Sequence, residues 1–278
     1  MPMKEPRVLT IQDYSCLGRC SLTVALPTLS CAGIEAVGIP ASVLTNHTAF
    51  PSWDAIDTIE ALSKASERWD ECRIDFDAVY TGYLATDQVD TALRFIAHYK
   101  SKGAKIFVDP AFADNGKLYA GFASNHVLAL RKLLKEADLV KPNLTEACFL
   151  TSTPYSKQAP SQAFLEELCR KVAELGPKSI VLSGIKKDDE IGCLIYERGA
   201  FSSFYLPARR NAHGTGDLFS SALLSSLLLG HNLKESASIA ASFVSEALRH
   251  NEEDDVEGAI YGPEFEKAIP YFIKKLGL

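Results

Sequence analysis

Lys105-Ile106-Phe107-Val108-Asp109-Pro110 is a short apolar run, rich in β-branched and aromatic side chains, that stops at an aspartate and a proline. A run this short and this apolar reads as a strand covered on both faces. Residues 124–134 read as the helix that follows, with Ser124 as its N-cap. Leu139-Val140 is then a second strand, ending at Lys141-Pro142-Asn143. Strand, helix and strand make one βαβ unit, and the same alternation continues in both directions. Toward the N-terminus, strands are predicted over 7–12, 34–39 and 78–80, and helices from Leu22 to Gly33, over 54–67 and over 87–99. Toward the C-terminus come a helix over 161–175, a strand over 179–183 and a hairpin of 191–196 with 200–206 around Gly199. Helices over 215–229, 235–248 and 264–275 close the chain. The pattern predicts an α/β fold, a mainly parallel central sheet with helices on both faces, with residues 1–278 as one domain. In such sheets ligands bind beyond the carboxyl ends of the strands, so the polar residues that follow each strand are the ones to inspect.

The 278 residues are 47% hydrophobic and 23% charged, enough to bury a large core. A net charge of −6 argues against a nucleic-acid or anionic-membrane partner, each of which favours a basic face. A small anion remains a suitable ligand, since amides and helix ends bind it without net positive charge. No apolar run reaches the length of about 18 residues that spans a bilayer. Residues 1–7 show no apolar stretch ahead of a cleavage site, so no secretory signal is expected. The seven cysteines are scattered, odd in number and without a CxxC pair, which suggests neither a disulfide framework nor a structural zinc site. The expected compartment is the cytoplasm. The acidic run over 251–255 reads as a solvated loop between helices.

The strongest chemical signal is Gly214-Thr215-Gly216-Asp217, directly before the apolar helix over 218–229. Two glycines flanking a threonine at a helix start allow a tight turn and expose several amide N–H groups, which the helix dipole makes attractive to an anion. An aspartate there would repel phosphate. It gains a purpose if it takes a proton from a hydroxyl that attacks the phosphoryl group. It would equally serve as an ordinary first-turn carboxylate complementing the dipole. No Gly-Lys-Ser/Thr follows, so the motif is not a Walker A loop.

His213-Gly214-Thr215-Gly216-Asp217-Leu218-Phe219 resembles the GTGD signature of the ribokinase superfamily. Thr45-Asn46-His47-Thr48, Val108-Asp109-Pro110 with Asp114-Asn115-Gly116-Lys117-Leu118-Tyr119, and Lys141-Pro142-Asn143-Leu144-Thr145-Glu146-Ala147 resemble the SNHT, DPVMGDNGKLY and TPNxxEA stretches of its vitamin B6 kinase branch. Gln12 and Thr81-Gly82-Tyr83 fit the same pattern, and the matches run in family order from Gln12 to Phe219.

The resemblance implies a ribokinase-like kinase that uses ATP and Mg²⁺, acts on a B6 vitamer and forms a homodimer. Asp217 would be the base, with the amides of Gly214, Thr215 and Gly216 as the anion hole. Asp109 and Glu146, each placed at a strand end, would hold Mg²⁺, partly through waters, with Asn143 beside them; ordinary capping is the alternative. Ser183 and Gly184 would lie along the nucleotide, and Asp114 would open a flap, over 114–119, that covers the phosphates. Asn46, Thr48 and Tyr83 would face the pyridine ring, Tyr83 offering a flat apolar face with a polar tip. His47 is either a ligand contact or a brace inside its loop. The chain departs from the family at Asp13, where serine is usual, and either Asp13 or Ser15 would then contact the ring. Pyridoxal, pyridoxamine and hydroxymethylpyrimidine all stay open as acceptors. A hydroxymethylpyrimidine kinase of thiamine synthesis is the near alternative, and an inactive vitamer-binding protein of the same fold the more distant one.

Overall fold

The structure is a computed structural model that describes residues 5–58, 60–253 and 260–278. In chain order the strands are β1 (Arg7–Ser15), β2 (Glu35–Leu44), β3 (Ala55–Asp57), β4 (Ala78–Thr81), β5 (Lys105–Val108) and β6 (Ala113–Asp114). They continue with β7 (Lys117–Leu118), β8 (Leu139–Val140), β9 (Ser179–Lys187), β10 (Glu190–Glu197) and β11 (Ala200–Pro207). The helices are α1 (Leu22–Cys31), α2 (Glu60–Glu71), α3 (Val89–Ser101), α4 (Ser124–Glu136) and α5 (Leu144–Thr151), followed by α6 (Gln162–Ala173), α7 (Thr215–Leu228), α8 (Leu233–Glu253) and α9 (Phe265–Leu276).

Nine strands form one sheet in the order β11-β10-β9-β8-β5-β4-β1-β2-β3. Its centre, from β9 to β2, is parallel throughout. Antiparallel β10 and β11 extend one edge and antiparallel β3 the other. Alternate residues of the central strands point to opposite faces, and the core divides accordingly. Leu9, Val79, Ile106 and Val108 pack with α3, α4, α5 and α6. Val8, Ala78, Tyr80 and Phe107 pack with α1, α7, α8 and α9. The sheet is thus covered on both faces, as the alternating sequence predicts.

Five local readings need correction. The helix predicted over 54–67 is the edge strand β3 followed by α2. Ile56, 69% exposed, pairs with Val43 instead of facing a core, while Ile59 lies outside the described residues. Ser124 is the first residue of α4 and not its cap; Ala123 holds the cap position with no side-chain bond. Glu146 does not end a strand. It sits in the first turn of α5, a helix that periodicity misses because almost every side of it is buried and no polar stripe marks it. The strand predicted over 7–12 continues to Ser15, which carries Asp13 beyond Gln12 onto the sheet's carboxyl edge. Asn251, Glu252 and Glu253 of the acidic run belong to α8 instead of a loop, while Asp254 and Asp255 lie outside the described residues. No helix of the described residues is long and apolar enough to cross a membrane.

Candidate functional site

The carboxyl ends of β1, β5, β8 and β9 open onto a cleft of about 1540 Å³, into which the first turn of α7 points. The entry to α7 requires glycine. Gly214 has φ 83°, and a Cβ there would collide with the carbonyl oxygen of Arg19. The chain therefore turns tightly against the β1–α1 connection and brings Gly214, Thr215 and Gly216 to the cleft with the N-terminal end of the α7 dipole.

Asp217, in the same turn, accepts a hydrogen bond from the Ser21 amide at 2.9 Å. Burial and then the neighbouring charge of Asp109 raise its pKa to about 7, with a smaller push from Asp13; the Ser21 amide and Lys141 act the other way. A carboxyl that titrates near neutrality, at the floor of a cleft, suits proton transfer.

Across from it, Asp109 follows β5. Its Oδ2 accepts from Ser220 Oγ of α7 at 2.6 Å and from Lys141 Nζ at 2.8 Å. Lys141 follows β8 and is 4% exposed. Burial opposes its charge, but Asp109, Glu146 and Asp217 together hold its pKa above the ordinary lysine value. Glu146 and Asn143 form a reciprocal cap on α5. Asn143 Oδ1 accepts from the Glu146 amide at 2.9 Å, and Glu146 Oε2 accepts from the Asn143 amide at 2.8 Å. Glu146 Oε1 accepts from the Phe112 amide at 3.0 Å, so both of its oxygens are occupied by backbone donors. Burial and the charge of Asp109 push its pKa up to about 8 despite Lys141.

The flap predicted over 114–119 is the small β6–β7 ladder, turning at Asn115 and Gly116, both with positive φ. Asn143 Nδ2 donates to the Ala113 carbonyl at 2.8 Å, and the Gly116 amide donates to Thr145 Oγ1 at 3.0 Å, tying the ladder to α5. Asp114 lines the cleft, but its carboxylate accepts from the amide and side chain of Asn115. Ser183 and Gly184 line the cleft from within β9, which runs past the strand predicted over 179–183, with Ser183 bridged to Asn143.

At the other end of the cleft lies Asp13, 4% exposed, held by the Ser15 hydroxyl at 2.8 Å and by the Ser21 hydroxyl. Burial raises its pKa. Tyr83, Thr48 and His47 line this end. Tyr83 packs against Phe122 at 5.2 Å between centroids, and burial and Asp13 raise its pKa to about 12. His47 bonds the Ile260 carbonyl at 2.7 Å and stacks on His213 at 3.8 Å, so its ring is braced while it also lines the cleft. Two predicted site residues are not in the lining. The Asn46 side chain donates to the Ser52 carbonyl inside its own loop, and Ser15 is buried behind Asp13.

Sequence reading missed Lys141, Ser220 and Ser21 as members of this cluster. Lys141 carried a signal, being the first residue after β8 on the ligand edge. Ser220 and Ser21 carried none, since a serine in an apolar helix or at a helix start has many uses.

The phosphomethylpyrimidine kinase family matches residues 38–260. A pyridoxal kinase of Dictyostelium discoideum is 27% identical over 250 residues, covering 83% of this chain and 80% of its own. A hydroxymethylpyrimidine/phosphomethylpyrimidine kinase of Schizosaccharomyces pombe, itself named as putative, is 26% identical over 271 residues, 88% of this chain and 47% of its own. Among solved structures, a phosphomethylpyrimidine kinase from Bacteroides thetaiotaomicron, so named putatively and crystallised with pyridoxal, is 29% identical with a TM-score of 0.91. The match covers 97% of this chain and 96% of that one. The pyridoxal kinase of Leishmania donovani with ADP and pyridoxamine shares the fold at a TM-score of 0.83 and 21% identity, over 98% and 96% of the two chains.

Proposed function

Because this chain belongs to the phosphomethylpyrimidine kinase family, we propose that it transfers the γ-phosphoryl group of ATP to the 5′-hydroxymethyl group of a B6 vitamer: pyridoxal, pyridoxamine or pyridoxine. The observation that carries the reading is Asp217, a half-buried residue whose carboxyl has its pKa raised to about 7 in the same turn as the Gly214–Gly216 amides. In this reading the vitamer lies against Tyr83 with Asp13 and Thr48 around the ring, and Ser15 fixes the Asp13 carboxylate. Asn46 acts by holding its loop. The triphosphate extends past Asn143, Asp114, Ser183 and Gly184.

Asp217 accepts the proton of the vitamer hydroxyl as that oxygen bonds to the γ-phosphorus. The bond from that phosphorus to the β,γ-bridging oxygen breaks, and ADP leaves. The amides of Gly214, Thr215 and Gly216 face the charge that builds on the phosphoryl oxygens. Asp109 and Glu146 are hard oxygen donors of the kind that suit Mg²⁺. With both Glu146 oxygens bonded to amides, that residue fits an ion reached through water better than direct ligation. Mg²⁺, when bound with the triphosphate, supplies charge neutralisation there.

ADP release measured with pyridoxal, pyridoxamine, pyridoxine and hydroxymethylpyrimidine tests the reading, with a B6 vitamer expected to give the highest kcat/KM. The highest value with hydroxymethylpyrimidine would establish the thiamine-pathway kinase instead, the alternative that the family's name raises. Binding without ADP release would establish an inactive vitamer-binding protein. We also expect a homodimer, by family resemblance, and a cytoplasmic site, which seven unpaired thiols support.

A further inference from the structure

Lys141 is a buried lysine at the centre of the cluster, and charge pairing alone does not explain where its ammonium sits. Its Nζ lies 2.8 Å from Asp109 Oδ2 and 3.3 Å from where a Cβ on Gly216 would stand. The ammonium is therefore wedged between a carboxylate and the glycine turn that opens α7, in the wall of the cleft. An ammonium has three N–H donors, and Asp109 receives one of them. Three carboxylates, Asp109, Glu146 and Asp217, act on its charge. Without a fixed cation, that set would repel a triphosphate entering beside it.

We infer that Lys141 is a catalytic residue of this site, its ammonium contacting the oxygens of the phosphoryl group in transit from ATP to the acceptor hydroxyl. The inference rests on the proposed kinase reading, which supplies the phosphoryl group. In the step, the acceptor oxygen bonds to the γ-phosphorus and the bond to the β,γ-bridging oxygen breaks. The hydroxyl proton goes to Asp217 and the electron pair leaves with ADP. Lys141 neither gains nor loses a proton. It is a point charge at the glycine turn, and the small Gly216 leaves room for its approach to the transferring group. The competing account makes Lys141 a counter-ion that only neutralises Asp109. Both accounts expect a loss of stability on removing the charge, so stability does not separate them.

Lys141→Met keeps most of the length and removes the charge. Lys141→Gln also removes the charge but keeps an N–H donor for Asp109, and so serves if the Met variant does not fold. We expect either folded variant to lose about 10²-fold in kcat, the size of effect seen when one oxyanion donor is removed, with KM for the acceptor little changed. The second readout is calorimetric binding of ATP in EDTA, which needs neither metal nor acceptor. It should weaken by about tenfold, as for a lost charge-assisted hydrogen bond. Near-wild-type kcat and ATP affinity in either folded variant would overturn the inference, as would restoration of kcat by Gln alone. If the wild-type protein phosphorylates no acceptor offered, the kinase reading fails, while ATP binding in EDTA still judges Lys141.

Discussion

Asp217→Asn keeps the shape of the side chain and removes its basicity. The Ser21 amide still finds an acceptor, so folding should be little affected. In its proposed role as the base, Asp217 should contribute to chemistry more than to binding, and kcat should fall by about 10²-fold or more. ATP affinity should change much less, since a negative charge leaves the phosphate end. Near-wild-type turnover would sink the assignment. The same residue sets a pH dependence. A base must be deprotonated to act, and burial has raised the Asp217 pKa to about 7. The kcat/KM profile should therefore lose activity as pH falls through 7, where an aspartate at its ordinary pKa would hold activity down to pH near 4. At the other end of the cleft, Asp13 is a buried carboxyl supported by two serine hydroxyls. If it contacts the acceptor as proposed, it should favour one that brings a cationic or donor group, such as the aminomethyl group of pyridoxamine. Asp13→Ser should shift relative kcat/KM toward pyridoxal, and an unchanged ranking would show that Asp13 does not read the ring.

At the scale of elements, α5 decides how Glu146 is understood. A strand-end carboxylate would be a free metal ligand, whereas the Glu146 carboxylate closes a cap and holds the Phe112 amide. Glu146→Ala leaves two buried N–H groups without their acceptor, at about 1–3 kcal/mol each, so Tm should fall by several degrees. The Mg²⁺ concentration for half-maximal activity should rise as well; an unchanged requirement beside a lowered Tm would leave capping as its whole role. Its misplacement marks what was legible in the chain. β5, β8, the β10–β11 hairpin and α7 were readable because each is bounded by turn residues and patterned by one-sided or two-sided burial. The helix α5 was not, because a helix buried nearly all round has no polar stripe. The edge strand β3 was not, because Ile56 is exposed and its spacing imitates a helix. In the site, residues next to glycines or at strand ends announced themselves. The contacts of Ser21 and Ser220 join residues 196 and 111 positions apart, which no local pattern carries.

The whole molecule divides its cleft by strand. β1, β2 and β4 bring the end with Asp13, Thr48 and Tyr83, while β8 and β9 bring the end with Asn143, Ser183 and Gly184. The N-terminus of α7 stands where the two meet. Ligands seated at separate ends of one rigid sheet should stabilise the fold separately, each by mass action. ADP at about a hundred times its Kd adds about 2.7 kcal/mol. With an unfolding entropy of about 2.1 cal/mol/K per residue over this chain, that amounts to about 5 °C in Tm. A B6 vitamer at the same multiple of its own Kd should add a similar increment on top of ADP, since neither ligand needs the other's strands. Differential scanning fluorimetry with ADP, vitamer and both together measures all three shifts. A combined shift well below the sum would show that the two ligands compete for one end of the cleft, and the division by strand would be wrong. A shift with hydroxymethylpyrimidine but with no vitamer would keep the division and change the acceptor.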